Sequence, residues 1–231
     1  MEATGGVSLL DRGRRGVTPT RSGEALAHHA RLVLRQVGAM QGELSEHARG
    51  IRGYFRILGN SAAITEFLPD RLGTFLGEHR RIDIDLAERP SPEIVKAVAG
   101  GLAEIGIVSD AVQTGALETA PFAIDRLVVV MARTHPMASS RRIAFDQMPG
   151  EDQIAFSGAL QRYIDEQAQQ AGHRMRYRVR LQTFEGICRM AAMGAGVGIV
   201  PETAARRARR IAPIAIICLS NSWATRRLVL C

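Results

Sequence analysis

Small hydroxyl and amide residues recur at four places in this 231-residue chain where an apolar, strand-like run gives way to a turn. They are Asn60-Ser61, Ser109-Asp110, Ser157-Gly158 and Thr183-Phe184. Each run is expected to end at a helix N-terminus, which presents free amide hydrogens and the positive end of the helix dipole. Hydroxyls beside such amides suit a small anionic or polar ligand held by hydrogen bonds alone. Helix capping prefers the same residue types, so each junction taken singly has that second reading. Asn60, Ser61, Ser109, Ser157, Gly158, Thr183 and Phe184 are the candidate ligand contacts.

Signals for other chemistry fail on context. Gly194-Ala195-Gly196-Val197-Gly198 resembles a nucleotide loop, but it follows a helical pattern and precedes a strand, the reverse of a dinucleotide fingerprint. It reads as a tight helix-to-strand turn. His28-His29 have no acidic or cysteine partner at ligand spacing, and His135-Pro136 closes a strand as a turn. Asp83 and Asp85 share a strand face between Ile82, Ile84 and Leu86, which makes that face solvent-directed. Cys188, Cys218 and Cys231 lack metal-ligand spacing and read as reduced thiols. No catalytic triad, metal site or cofactor motif is evident, and no enzymatic activity is expected.

The elements needed to position the four junctions follow from periodicity. Tyr54 to Gly59 is a short apolar strand, followed by a helix carrying Leu68, Leu72, Phe75 and Leu76. Ile82 to Leu86 alternates as a strand, Glu93 to Gly100 is helical, and Ile105 to Val108 is a buried strand. The same β-α-β-α-β order returns in Gln153 to Phe156, Leu160 to Ala171, Tyr177 to Gln182, Glu185 to Met193 and Val197 to Val200. Leu127 to Met131 is long enough to cross between the copies, and Ile214 to Leu219 is placed to carry the chain back. Two parallel-sheet lobes joined by two crossing strands make a hinged cleft. The ligand contacts fall at its edges.

An amphipathic helix precedes the first lobe. Leu26, Ala30, Val33, Val37, Met40 and Leu44 alternate in steps of four and three, the narrow seam of a two-helix coiled coil. A helix lying on its own domain shows a wider stripe. Thr20 is placed to cap its start, Glu24 favours its dipole, and Gly50 and Gly53 mark its end. Gly38 and Gly42 lower its intrinsic propensity by about 1 kcal/mol each, so the helix depends on a partner.

The net charge of +7 divides into about +4 over residues 1–60, −5 over 61–130 and +8 over 131–231. Every basic residue but Lys96 is Arg. Arg206-Arg207 and Arg209-Arg210 lack interleaved aromatics, and the alternating Arg174, Arg176, Arg178 and Arg180 enclose only Tyr177, so they read as solvated faces rather than a nucleic-acid interface. No apolar run has the length of a membrane span and the N-terminus shows no leader pattern, which points to the cytoplasm and away from a membrane.

The ordered set of short motifs resembles the LysR-type transcriptional regulators. Leu9-Leu10-Asp11-Arg12 with Val17-Thr18-Pro19-Thr20-Arg21-Ser22-Gly23-Glu24 looks like their wing-to-linker signature. Phe55-Arg56-Ile57 with Leu68-Pro69, Gly101 to Val108, Leu127 to Val130 with His135-Pro136, Met193 to Pro201 and Trp223 to Leu228 follow in the family's order.

The resemblance implies an α/β, two-lobed, periplasmic-binding-protein-like (type 2) effector domain preceded by a long dimerisation helix. It implies a bacterial regulator, homodimer or homotetramer, whose cleft senses a small-molecule effector and which binds promoter DNA. On this pattern residues 1–18 are a remnant of a winged helix-turn-helix, 19–52 the linker helix and 53–231 the effector domain. Lobe I then takes 53–130 and 213–231, and lobe II takes 131–212. Residues 1–8 are too few for a recognition helix, and in the family a further stretch after the position of Cys231 returns to cover the first lobe. Arg12, Arg14 and Arg15 would then meet DNA phosphates without reading bases, giving weak, salt-sensitive binding. The other reading of a two-lobed cleft is a stand-alone solute-binding protein of a transport system, which needs a leader and has no use for a coiled-coil arm.

Overall fold

The computed structural model describes residues 6–13, 16–27, 29, 30, 32, 33, 36, 37, 40, 53–148 and 150–231. Strands β1 (Leu10–Gly13) and β2 (Gly16–Pro19) form an antiparallel hairpin. Thr20 then caps a helical arm: its Oγ1 accepts from the amide of Gly23 at 3.0 Å and its hydroxyl donates to the Ser8 carbonyl at 2.7 Å. Residues 21–27, and the described positions up to Met40, are helical. Leu26 is half-buried, whereas Ala30, Val33, Val37 and Met40 are exposed. Leu44, His28, Gly38, Gly42, Gly50, Arg14, Arg15 and the side chain of Arg12 lie outside the described residues.

The first lobe is built from parallel β3 (Gly53–Gly59), β4 (Ile82–Glu88) and β5 (Ile105–Ser109), with β3 between the other two. A π-helical turn, Ala63–Phe67, leads from the end of β3 into α1 (Leu68–Glu78), and α2 (Ser91–Ala99) joins β4 to β5. Both faces of this sheet are covered, so consecutive residues are buried on opposite sides. Ile57, Leu68, Ile107 and Leu228 form one layer, and Leu58, Ile94 and Val108 form the other.

Strand β6 (Ala120–Ala132) is longer than the Leu127–Met131 run implied. Its first half pairs with β12 (Thr225–Leu230) in the first lobe, and its second half lies between β10 (Val197–Pro201) and β11 (Ile214–Leu219) in the second. The short β7 (Arg142–Ile143) pairs with β11 at one edge of the second sheet, and parallel β8 (Asp152–Phe156) and β9 (Arg176–Leu181) extend it beyond β10. Helices α3 (Ala159–Gln170), α4 (Phe184–Ala192) and α5 (Glu202–Ala208) complete that lobe. Its larger core gathers Val128 to Met131, Phe145, Ile154, Leu160, Ile187, Val200 and Ile214.

Two expectations need correction. Ile214–Leu219 does not carry the chain back: all of it pairs within the second lobe, and the return is made by β12, inserted antiparallel between β5 and β6. An apolar run announces a buried strand without saying in which sheet. Ser109 precedes a turn rather than a helix, with the Val112 amide donating to its carbonyl at 3.1 Å. The glycine run does make the helix-to-strand turn: Gly194 and Gly196 have φ of 77° and 148°, and a Cβ on Gly196 would collide with the Asp152 carbonyl.

Candidate functional site

The junction residues divide by what their side chains hold. Asn60 accepts the Ala63 amide through Oδ1 at 3.0 Å, and Thr183 accepts the Gly186 amide through Oγ1 at 3.1 Å. Both therefore cap the helix that follows them. Ser109 is buried on β5, where its amide donates to Ser91 Oγ at 3.2 Å and its own Oγ accepts weakly from the Ala111 amide at 3.4 Å. Ser157 is exposed, and its amide closes the end of β9 on the Leu181 carbonyl at 2.7 Å.

Ser61 reaches the other lobe. Its Oγ accepts the Leu160 amide in the first turn of α3 at 3.0 Å and donates to Glu88 Oε1 at 2.6 Å. That same carboxylate oxygen accepts the Ala159 amide at 2.8 Å. Helix α3 begins on Gly158 with no side-chain cap of its own and no acidic residue in its first turn, so its first two amides are satisfied from the opposite lobe. Gly158 permits this approach: a Cβ there would stand 2.7 Å from Glu88 Oε1 and collide with the Phe156 ring. Phe156 in turn stacks on Phe184 with centroids 4.4 Å apart. Of the expected contacts, the fold thus gathers Ser61, Gly158 and Phe184 around one helix N-terminus, with Asn60 and Thr183 adjacent in the chain. Ser109 is instead held against Ser91 at the start of α2.

Further ties span the lobes, among them Arg162 on α3 with Glu93 on α2 at 3.3 Å, both largely in solvent. Arg207 on α5 grips Glu66, in the π-helical turn, with two hydrogen bonds of 2.9 Å. The Glu66 side chain is 1% exposed while that of Arg207 is largely in solvent. At the crossing strands Arg226 on β12 pairs with Asp125 on β6, and both are buried. Burial raises the Asp125 carboxyl above its usual range, outweighing the opposing pull of Arg226. The Arg226 guanidinium also lies 5.3 Å from the ring centre of Tyr163 on α3, so this pair is covered from the second lobe. Among the described residues, Arg226 Nε and Asn60 Nδ2 are buried donors with no hydrogen-bond partner.

Glu88, Glu66, Arg207, Asp125 and Arg226 were not among the expected contacts. Glu88 alone had a sequence signal: it ends β4, a strand terminus of the same kind as those ending β3 and β5. The ion pairs join residues 101 and 141 positions apart and have no local signature.

The remaining chemistry-bearing side chains resolve simply. Arg176 and Arg178 pair with Asp152 at 3.4 and 3.2 Å, Arg180 covers the Tyr177 ring and Arg206 pairs with Glu202. Asp85 on β4 pairs with Arg56 on β3 at 3.1 Å, both side chains partly exposed. No group of three His, Cys, Asp or Glu residues able to hold a metal occurs among the described residues. No described helix is long and apolar enough to cross a membrane.

The family model of the LysR substrate binding domain matches residues 48–231. Among curated proteins, the HTH-type transcriptional regulator AlsR of Bacillus subtilis is 28% identical over 210 residues, covering 88% of this chain and 69% of its own. The hydrogen peroxide-inducible genes activator of Haemophilus influenzae is 22% identical over 201 residues, covering 86% of this chain and 67% of its own. Among solved structures, the CcmR regulatory domain of Synechocystis PCC6803 in complex with 2-PG superposes with a TM-score of 0.63 at 22% identity, covering 78% of this chain and 86% of that one. Full-length CbnR complexed with its target DNA gives a TM-score of 0.60 at 20% identity, covering 99% of this chain and 79% of that one.

Proposed function

Because the chain belongs to the LysR family of transcriptional regulators, its residues 48–231 matching the substrate binding domain, we propose that its interlobe cleft binds a small, carboxylate-bearing effector. The curated relatives are regulators rather than enzymes or transport proteins, and this chain is read as a ligand-sensing regulator on the same footing. The effector is held between Asn60 and Ser61 on one side and Gly158, Thr183 and Phe184 on the other, with Ser109 and Ser157 at the margins. The observation that carries this reading is the meeting of Ser61, from the first lobe, with the Leu160 amide in the first turn of α3. Amides at a helix start are an anion-binding arrangement, and here they are met by acceptors from the facing lobe, which couples occupancy to closure. The buried, unpartnered donor Asn60 Nδ2 adds support, since an acceptor-rich ligand held at Ser61 would satisfy it.

The wider reading follows the same division of the chain. Residues 1–18 belong to a DNA-binding unit whose Arg12, Arg14 and Arg15 face phosphates. Residues 19–52 pair two protomers through Leu26, Ala30, Val33, Val37, Met40 and Leu44. Residues 53–231 sense the effector in the cytoplasm, with a homodimer or homotetramer as the assembly on promoter DNA.

A thermal-shift screen of small mono- and dicarboxylates tests the central step, because a ligand specific for the folded state raises stability by mass action. A hit that Ser61→Ala and Thr183→Ala each weaken by about 1–2 kcal/mol, with the fold intact, supports the reading. Undiminished affinity in both variants returns these residues to helix capping alone.

A further inference from the structure

The effector reading leaves one group in the cleft without a role. Glu88 Oε1 lies where a ligand carboxylate would lie: it accepts from the Ala159 amide at 2.8 Å and from Ser61 Oγ at 2.6 Å, at a helix start with no cap of its own. Position 158 is glycine, and any larger residue would crowd that oxygen. Beside Ser61, the buried Asn60 Nδ2 is left without a partner among the described residues. A donor left over next to an occupied acceptor site is what remains when the occupant is smaller than the ligand the site is built for.

We propose that Glu88 is the resident anion of the cleft, an intramolecular stand-in for the effector that an effector carboxylate must displace. The inference rests on the cleft being the effector site. Glu88 then sets specificity in two ways. It sets a threshold, because an anion gains only the difference between its own contacts and those of Glu88. It also fixes what binding changes: the bond from β4 to α3 is exchanged for a ligand between the lobes, and Glu88 is released toward solvent. A weak monocarboxylate with one contact to offer fails against Glu88. A ligand that also engages Asn60 Nδ2 exceeds it.

The test uses the full chain and acetate, the smallest carboxylate, followed by the amide resonances of Ala159 and Leu160 and by thermal stability. In Glu88→Ala acetate fills the vacated place, so both amides shift saturably and stability rises toward the wild-type value. Glu88→Gln keeps the size of the side chain without its charge, so it folds where Glu88→Ala fails and competes less well than the carboxylate. Half-saturation by acetate is expected to fall by about tenfold or more from wild type to Glu88→Gln, and further in Glu88→Ala, as loss of a charge-assisted contact requires. Acetate rescue of Glu88→Ala supports the assignment even where no organic effector responds. Equal acetate response in wild type, Glu88→Gln and Glu88→Ala overturns it and leaves the effector reading untouched.

Discussion

The cleft is held by a few polar side chains, and their burial decides what each is worth. Asp125 and Arg226 are 2% and 6% exposed, so removing one strands the other without its counter-charge. Asp125→Asn is expected to cost about 3–5 kcal/mol in denaturant unfolding, with much of the loss recovered when both positions become apolar. Cys188 behaves differently: burial pushes its thiol up to about 12 from an ordinary value of 9.0, so it stays protonated in the folded chain. A folded value above the unfolded one means that this contribution to stability is whole below about pH 9 and is lost as pH rises toward 12. Thiol titration at pH about 8 should accordingly modify the exposed Cys218 first and Cys188 only on unfolding. Ser61 and Thr183 stand out in the sequence as hydroxyls after a strand; Ser61 reaches the facing lobe, and Thr183 caps its own helix. Glu66 and Arg207 do not stand out, since a Glu in an apolar helix and an Arg on a charged face acquire meaning only when the lobes meet.

Among the elements, the arm and β12 mark the two ends of legibility. The arm shows a 4-3 stripe in the sequence, and its Val33 and Val37 are exposed in the single chain. Replacing both with Asp is expected to halve the mass measured by light scattering if the arm pairs protomers, since buried charge in a coiled-coil seam has no partner. Unchanged mass would place association elsewhere. Strand β12 was missed because Thr225-Arg226-Arg227 interrupts its apolar pattern. Arg226 nonetheless points inward, its charge met by Asp125 directly across the ladder. Strand β6 was read short for a related reason: Asp125 and Arg126 break the run before Leu127, although the strand continues through them from one lobe to the other. At both crossings, a polar pair that the sequence presents as a loop is part of a continuous strand.

Over the whole molecule, the lobes are joined by Ser61 and Glu88 on the start of α3, Glu66 on Arg207, Glu93 on Arg162, and the Asp125–Arg226 pair beneath Tyr163. The repeated β-α-β-α-β order made two lobes and a cleft legible without any structure. That the lobes close on each other through the chain's own carboxylates was not, because closure depends on contacts between residues far apart in sequence. Arg207→Ala leaves the buried Glu66 without its partner and is expected to open the cleft, visible as a larger radius of gyration in solution scattering. The most direct test of the account maps where a ligand lands. With a carboxylate found by thermal shift, amide perturbations in a titration of the full chain should gather at Asn60, Ser61, Glu88, Ser157 to Leu160, Thr183 and Phe184. Perturbations confined instead to the concavity of about 530 Å³ beside Asp165, His173, Arg174 and Tyr177, with the start of α3 unmoved, would contradict it.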